Sequence, residues 1–212
     1  MESKAYNLAH EKNPMITLRV IPGHFTTSNF HISHFLDVSS MKSNATVARN
    51  VAHELAMPYL ASAQIDTIVC LERTEVIGAY LAEELKESGV TAIGGGDISI
   101  ITPIANNIGS LSFQSSMVGL LSGRNVLLLT TSISSGRTLD SALDCLAYYR
   151  SNIVGISALF LVSSANPELR VNALFTSDDI PGYQFYSSRN CDMCRAGQSL
   201  DALISSEGFT KI

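Results

Sequence analysis

The sequence predicts an α/β fold built on a mainly parallel sheet, and three observations carry that expectation. Apolar runs of strand length alternate with stretches whose apolar residues recur every three or four positions, the pattern of a parallel sheet covered by crossover helices. Two of the strand-to-helix transitions pass through short polar turns, in "DTIVCLERTEVIGAYLAEEL" (66–85) and "VLLLTTSISSGRTLDSAL" (126–143). Apolar residues fill 46% of the 212 positions and charged residues only 16%, which suits one folded domain with a sizeable core.

Taken in order, "MESKAYNLAHEKNP" has no apolar signal-like run and no later stretch is apolar for about 18 residues, so a soluble cytoplasmic protein is expected. "MITLRVIPGHFTTSNFHISHFLDV" (15–38) reads as a short strand and a hairpin-like excursion, broken at Pro22 and Gly23. "SNATVARNVAHELAMPYLA" (43–61) places Val47, Val51 and Leu55 on one helical face, with Ser43 or Asn44 as cap and Pro58 as terminator. "DTIVCLE" is a strand, "RTE" a turn and "VIGAYLAEELKESG" a helix stopped by Gly89. A strand follows at "TAIGG" or "ISIITP", and residues 103–123 read as a long loop with at most a short element. In the next unit, Val126 to Leu129 form a buried strand that Thr130 and Thr131 end, and Leu139, Ala142, Leu143 and Leu146 recur at helical spacing. "NIVGISALFLV" and "VNALF" complete the strands. Tyr148 and Tyr149 read as packing residues.

A formal charge of -5 offers no general attraction to nucleic acid or to an anionic membrane. Cys70, Cys145, Cys191 and Cys194 are too few and too unevenly spaced for a disulfide framework at this size. No GxSxG elbow, HExxH helix, P-loop lysine or dinucleotide fingerprint occurs, and the glycine-rich "IGGGD" (93–97) reads as a turn.

The turn at 132–138, "SISSGRT", carries chemistry. Backbone N–H groups at a helix start lack intrahelical partners and attract an anion. Ser134, Ser135 and Thr138 add hydroxyl donors, Gly136 lets backbone approach a ligand closely, and Arg137 adds charge. Such a turn can bind a phosphate monoester; the same spacing also suits an ordinary capped turn.

The stretch Val126–Thr138 resembles the phosphoribosyl pyrophosphate (PRPP) signature of type I phosphoribosyltransferases: four apolar residues, two acids, then a Thr/Ser-rich turn ending in Gly-x-Thr. "DTIVCLERTEVIGAYLAEEL" is similar to that family's first strand, pyrophosphate loop and following helix. "TTSNFHISHFLDVSSMKSNATVARNVAHELA" is similar to the N-terminal hood and helix of orotate phosphoribosyltransferases. The match spans most of residues 15–162, and bacterial orotate-phosphoribosyltransferase-like proteins with a Cys-x-x-Cys tail are the nearest in general text.

The resemblance implies a twisted, mainly parallel sheet flanked by helices with a small N-terminal hood, in a homodimer. Residues 15–40 would be the hood segment, 43–175 the α/β core and 176–212 a C-terminal extension with CxxC, all within one domain, 1–212. It also implies Mg²⁺-assisted displacement of pyrophosphate from C1 of PRPP by a base nitrogen. Ser134, Ser135, Gly136, Arg137 and Thr138 would hold the 5′-phosphate, and Glu72, Arg73, Thr74 and Glu75 would lie in the pyrophosphate loop.

Two departures stand out. The ribose-facing acids are Thr130 and Thr131 here, which can hydrogen-bond a hydroxyl but carry no charge for Mg²⁺. One lost electrostatic contact at a transition state commonly costs about 3–4 kcal/mol. Residues 87–123, where orotate enzymes place Lys and His, contain only Glu87 and Asp97 as charged groups, and "TTSN" stands where those enzymes carry a hood lysine. Orotate is therefore not the expected substrate. Two readings stay open: a phosphoribosyltransferase using Glu72, Glu75 or Asp140 at the metal, or a binding and regulatory protein that senses a phosphorylated ribose or nucleotide. Asp178, Asp179 and Tyr183 are candidates for a ligand-covering flap.

"HISH" and "CDMC" supply His31, His34, Cys191 and Cys194, a formal Cys₂His₂ set for zinc; a turn with free or buried thiols is the alternative. The text before Cys191 offers no helix N-terminus beside a strand, as a redox CxxC prefers. His10, His24 and His53 read as surface or packing residues.

Overall fold

The computed structural model describes residues 2–27, 29–60, 64–90, 96–106, 110–163, 170–205 and 208–212. The strands are β1 Tyr6–Ala9, β2 Thr17–Thr26, β3 Phe30–Asp37, β4 Thr67–Cys70, β5 Ser99–Ile101, β6 Ile104–Ala105, β7 Leu111–Ser112, β8 Asn125–Ile133, β9 Asn152–Leu161, β10 Asn172–Thr176, β11 Phe185–Ser187, β12 Ala202–Ser205 and β13 Gly208–Lys211. The helices are α1 Ser39–Ser43, α2 Ala45–Ala56, α3 Glu75–Glu87, α4 Arg137–Tyr148 and α5 Asp192–Arg195. They fall into two compact units, Ser40–Thr176 and Met1–Ser39 with Ser177–Ile212.

The Ser40–Thr176 unit is a mixed α/β body on a five-stranded sheet of order β10-β9-β8-β4-β5, parallel at every pairing. All four residues of β4 are buried, as are Val126–Thr130 of β8, which is why these strands read as unbroken apolar runs. Val69, Leu128, Leu139, Ala142, Leu146 and Ala158 belong to its core. Asn44 caps α2, its Oδ1 accepting from the Thr46 and Val47 amides at 3.0 and 3.2 Å. Ala48, Val51, Ala52 and Leu55 face inward, and Pro58 falls in a 3₁₀ turn, Met57–Tyr59, that ends the element. Gly89, at φ 84°, stands just past α3, the left-handed exit a helix C-terminus favours. Adjacent parallel β4 and β8 both lead through short turns into α3 and α4, so the two turns share the carboxyl edge of the sheet, where α/β folds bind ligands.

Three expectations change. Strand β8 continues to Ile133, so Thr130 and Thr131 lie inside it rather than at its end. Its neighbour explains this: β9 pairs with it as far as Ile133↔Leu161. Residues 103–123 are not one loop, because β6 and β7 pair as an antiparallel hairpin and Ser115–Leu120 forms a 3₁₀ segment. Tyr148 is 81% exposed, while Tyr149 packs edge-on against Phe113 with ring centroids 5.6 Å apart. The edge strand β5 falls at "SII"; "TAIGG" and all but the last two residues of "IGGGD" lie outside the described residues.

The other unit joins both ends of the chain in one sheet of order β11-β3-β2-β12-β13, with β1 also on β2. Strands β2 and β3 form an antiparallel hairpin whose register shifts between Pro22 and Phe25, a bulge that redirects the strand. Phe25, Phe35 and Phe209 meet over its core at centroid separations of 4.9–6.1 Å. Residues from the expected hood and C-terminal extension thus pair as neighbouring strands, β2 with β12.

Candidate phosphate turn and His/Cys cluster

Beyond Ile133 the chain turns through Ser134 and Ser135 to Gly136, whose φ of 81° and ψ of -11° are left-handed. Glycine takes that conformation without the penalty a side chain meets. Gly136 is the N-cap of α4 and has no side chain with which to cap it. The helix therefore opens with amides directed outward and the positive end of its dipole beside two half-buried serines. Arg137 and Thr138 are exposed in the first turn, as is Asp140.

On the neighbouring strand, the loop after β4 is held in an uncommon conformation. Glu72 and Arg73 have φ of 53° and 63°, and non-glycine residues in such regions cost on the order of 1–3 kcal/mol each, concentrating where function demands them. The restraints are visible. Buried Thr74 donates its hydroxyl to the Leu71 carbonyl at 2.8 Å and reaches that of Leu129 at 3.3 Å. The Glu72 carboxylate accepts from Thr130 Oγ1 at 3.2 Å and from the Ser132 amide at 3.1 Å. Its carbonyl accepts from Thr131 Oγ1 at 3.1 Å and Lys42 Nζ at 3.2 Å. Lys42 also reaches Thr131 Oγ1 at 3.4 Å.

This arrangement gives Thr130 and Thr131 a role the sequence did not suggest. Both hydroxyls hold the Glu72 loop, and Thr130 is almost wholly buried. The carboxylate of Glu72 is held against β8, and the ammonium of Lys42 lies on the carbonyl of the same residue. Neither contact could be found from spacing, because Lys42, Glu72 and Thr131 lie far apart in sequence. Glu75 opens α3 and accepts from Thr102 Oγ1 at 2.9 Å.

A second cluster lies within the other unit. One ligating atom each of His24, His31, Cys191 and Cys194 lies within 4.8 Å of all the others. His24 Nε2 is 3.0 Å from His31 Nδ1, 3.5 Å from Cys191 Sγ and 3.7 Å from Cys194 Sγ, and Cys194 Sγ is 3.3 Å from His31 Nδ1. Opposite the cluster, His24 Nδ1 meets the Gln198 carbonyl at 3.0 Å. Burial, then the neighbouring His24, lowers the His31 pKa from its ordinary value.

Three of the four expected residues meet, but His34 does not join them. It bonds Ser33 Oγ through Nδ1 at 2.7 Å and stacks on Tyr183 at 5.9 Å. The reason is the pleat: His31 and His34 are three apart on β3, and odd separations on a strand face opposite sides. His24, expected to be a packing residue, comes in from the β2 bulge instead. Cys191 moreover N-caps the short helix α5, contrary to the expectation that the CxxC lacks a helix N-terminus. Tyr183 is mostly buried, which raises its phenol pKa, whereas Asp178 and Asp179 are exposed in a 3₁₀ turn. His53 pairs with Glu84 at 2.8 Å.

No protein-family model matches the chain, and no curated protein matches its sequence. Solved structures do match. UMP synthase of Leishmania donovani is 18% identical with a TM-score of 0.56, over 74% of this chain and 33% of that one. Adenine phosphoribosyltransferase of Trypanosoma brucei, solved with AMP, pyrophosphate and ribose-5-phosphate, is 12% identical with a TM-score of 0.51, over 71% of this chain and 73% of that one. Orotate phosphoribosyltransferase of Mycobacterium tuberculosis is 14% identical with a TM-score of 0.50, over 76% and 91%. At these identities the likeness is one of fold.

Proposed function

We propose, from the type I phosphoribosyltransferase fold of this chain, that it binds PRPP or a phosphorylated ribose and transfers the phosphoribosyl group to a base. The carrying observation is the pair of turns on adjacent parallel strands: a glycine-capped helix start at Gly136 beside Ser134 and Ser135, and a strained Glu72–Arg73 loop. In this reading Ser134 to Thr138 take the 5′-phosphate through backbone amides and hydroxyls. Arg73 and Glu75 flank the pyrophosphate while buried Thr74 braces the loop from beneath, and Lys42 offsets the charge.

Mg²⁺ binds through one or two carboxylates together with substrate phosphates, so a site with the single carboxylate of Glu72 and two threonine hydroxyls suits it when PRPP supplies further oxygens. When bound, the ion would neutralise charge on the departing pyrophosphate. The remaining work belongs to the chain: Glu72 holds the metal side, the α4 start fixes the phosphate, and Lys42 keeps the loop in place. The proposal includes a homodimer, as the sequence resemblance implies, and a cytoplasmic location.

A second reading has its own support. The Glu72 carboxylate already accepts two hydrogen bonds, and neither threonine carries charge. A protein of this kind would sense a ribose phosphate or nucleotide without transfer. Calorimetric titration of PRPP with Mg²⁺ and with EDTA, beside ribose 5-phosphate, separates the two. The transferase reading expects Mg²⁺-dependent binding selective for PRPP, lost in Glu72→Gln. Metal-independent binding of both ligands supports the sensor, and binding of neither overturns both readings.

A further inference from the structure

We infer that His24, His31, Cys191 and Cys194 form a closed, structural Zn²⁺ site, independent of the proposed transferase chemistry. Two thiolates and two imidazoles are the donor set that selects zinc over the oxygen-seeking cations.

The geometry supports a metal more specifically than proximity does. Zinc–sulfur and zinc–nitrogen bonds of about 2.3 and 2.05 Å at tetrahedral angles separate neighbouring donors by about 3.4 Å for N···N and about 3.6 Å for N···S. Four of the six edges in this cluster are 3.0 Å for N···N and 3.3, 3.5 and 3.7 Å for N···S. All four are close to the corresponding edges of a zinc-sized tetrahedron, and the remaining two are no longer than 4.8 Å. Donors on an unrelated polar surface have no reason to match four edges at once.

The surroundings orient the donors too. A carbonyl can only accept, so Gln198 keeps the proton of neutral His24 on Nδ1 and leaves the Nε2 lone pair directed at the two sulfurs and His31. A ligating histidine whose other nitrogen meets a carbonyl is the usual outer support of a zinc site. His24, His31 and Cys191 are buried while Cys194 reaches the surface, which leaves an entry path for the ion. Four protein donors leave no open position for a substrate, so the site is structural rather than catalytic. It would fasten α5 to the β2–β3 hairpin within one unit, where Cys191 and Cys194 occupy the first turn of a helix too short to hold its place alone.

The test uses full-length, untagged protein prepared under reductant. Metal analysis is expected to give one zinc per chain. Cys194→Ser and His24→Ala should lower that content at least about tenfold, while His34→Ala, outside the cluster, keeps it. Substoichiometric zinc in the parent protein, or loss of zinc in His34→Ala with retention in His24→Ala, overturns the site. Should the cysteine and histidine variants fail to fold, Co²⁺ exchange into the parent protein decides. Intense visible bands of tetrahedral cobalt with sulfur-to-metal charge transfer support the assignment, and weak octahedral absorption overturns it.

Discussion

Glu72 sits between two demands. Its left-handed backbone is unfavourable by itself, and its carboxylate is kept over β8 by the Thr130 hydroxyl and the Ser132 amide. Thr130 is 2% exposed and its hydroxyl meets that carboxylate, so introducing an acid there places like charges together in a buried site. Thr130→Asp is therefore expected to destabilise the protein by at least about 3 kcal/mol in urea unfolding. Thr131 is half-buried with Lys42 Nζ at 3.4 Å, a ready partner for a new carboxylate. Thr131→Asp should stay within about 1 kcal/mol of the parent. Equal losses in the two variants would contradict the asymmetry drawn here.

The packing of α3 on β4 depends on one missing methyl group. A Cβ on Gly78 would lie 2.5 Å from the Cys70 sulfur, well inside contact distance. Alanine gains about 1 kcal/mol over glycine in a helix interior, but overpacking costs typically about 1–3 kcal/mol. Gly78→Ala should therefore be net destabilising, and adding Cys70→Ala should recover most of the loss, as equilibrium unfolding of the double variant would show. Burial pushes the Cys70 thiol up to about 12, consistent with a packing role rather than a nucleophilic one. At the hairpin, burial alone would raise the Asp37 pKa, yet hydrogen bonds from Ser39 and the charge of Arg19, 3.6 Å away, hold it below the ordinary carboxylate value. A depressed carboxylate stabilises the fold above its unfolded value and loses that contribution as pH falls through the folded one. Asp37→Asn should flatten the acid limb of the urea midpoint against pH; an unchanged limb would remove Asp37 from the account.

At the level of the whole molecule, the charge of -5 predicts no retention of DNA or RNA at physiological salt, measurable by fluorescence anisotropy with labelled oligonucleotides. Salt-sensitive binding would require a basic face that the composition does not suggest. Much of the architecture was legible because burial leaves a direct trace in sequence. The apolar runs of β4 and β8, the face of α2 and the glycine after α3 are local patterns read one element at a time. The fold expected from them agrees with the parallel sheet and with the solved structures it resembles.

Residues 126–143 by themselves determined a strand, a glycine turn and a helix start, since each follows from short-range backbone preference, while the end of the strand at Ile133 came from its pairing with β9. Only tertiary structure decided what that turn faces. The contacts of Lys42, Glu72 and Thr130 depend on the pairing of β4 with β8, whose register is a long-range choice. The His/Cys cluster makes the same point. CxxC spacing survives in a short helix, but the x-x spacing of His31 and His34 is split by the strand pleat, and the β2 bulge brings His24 in as the replacement. Sequence separation measures distance along the chain, whereas a site is set by pairing register and by the side of the sheet on which each side chain emerges.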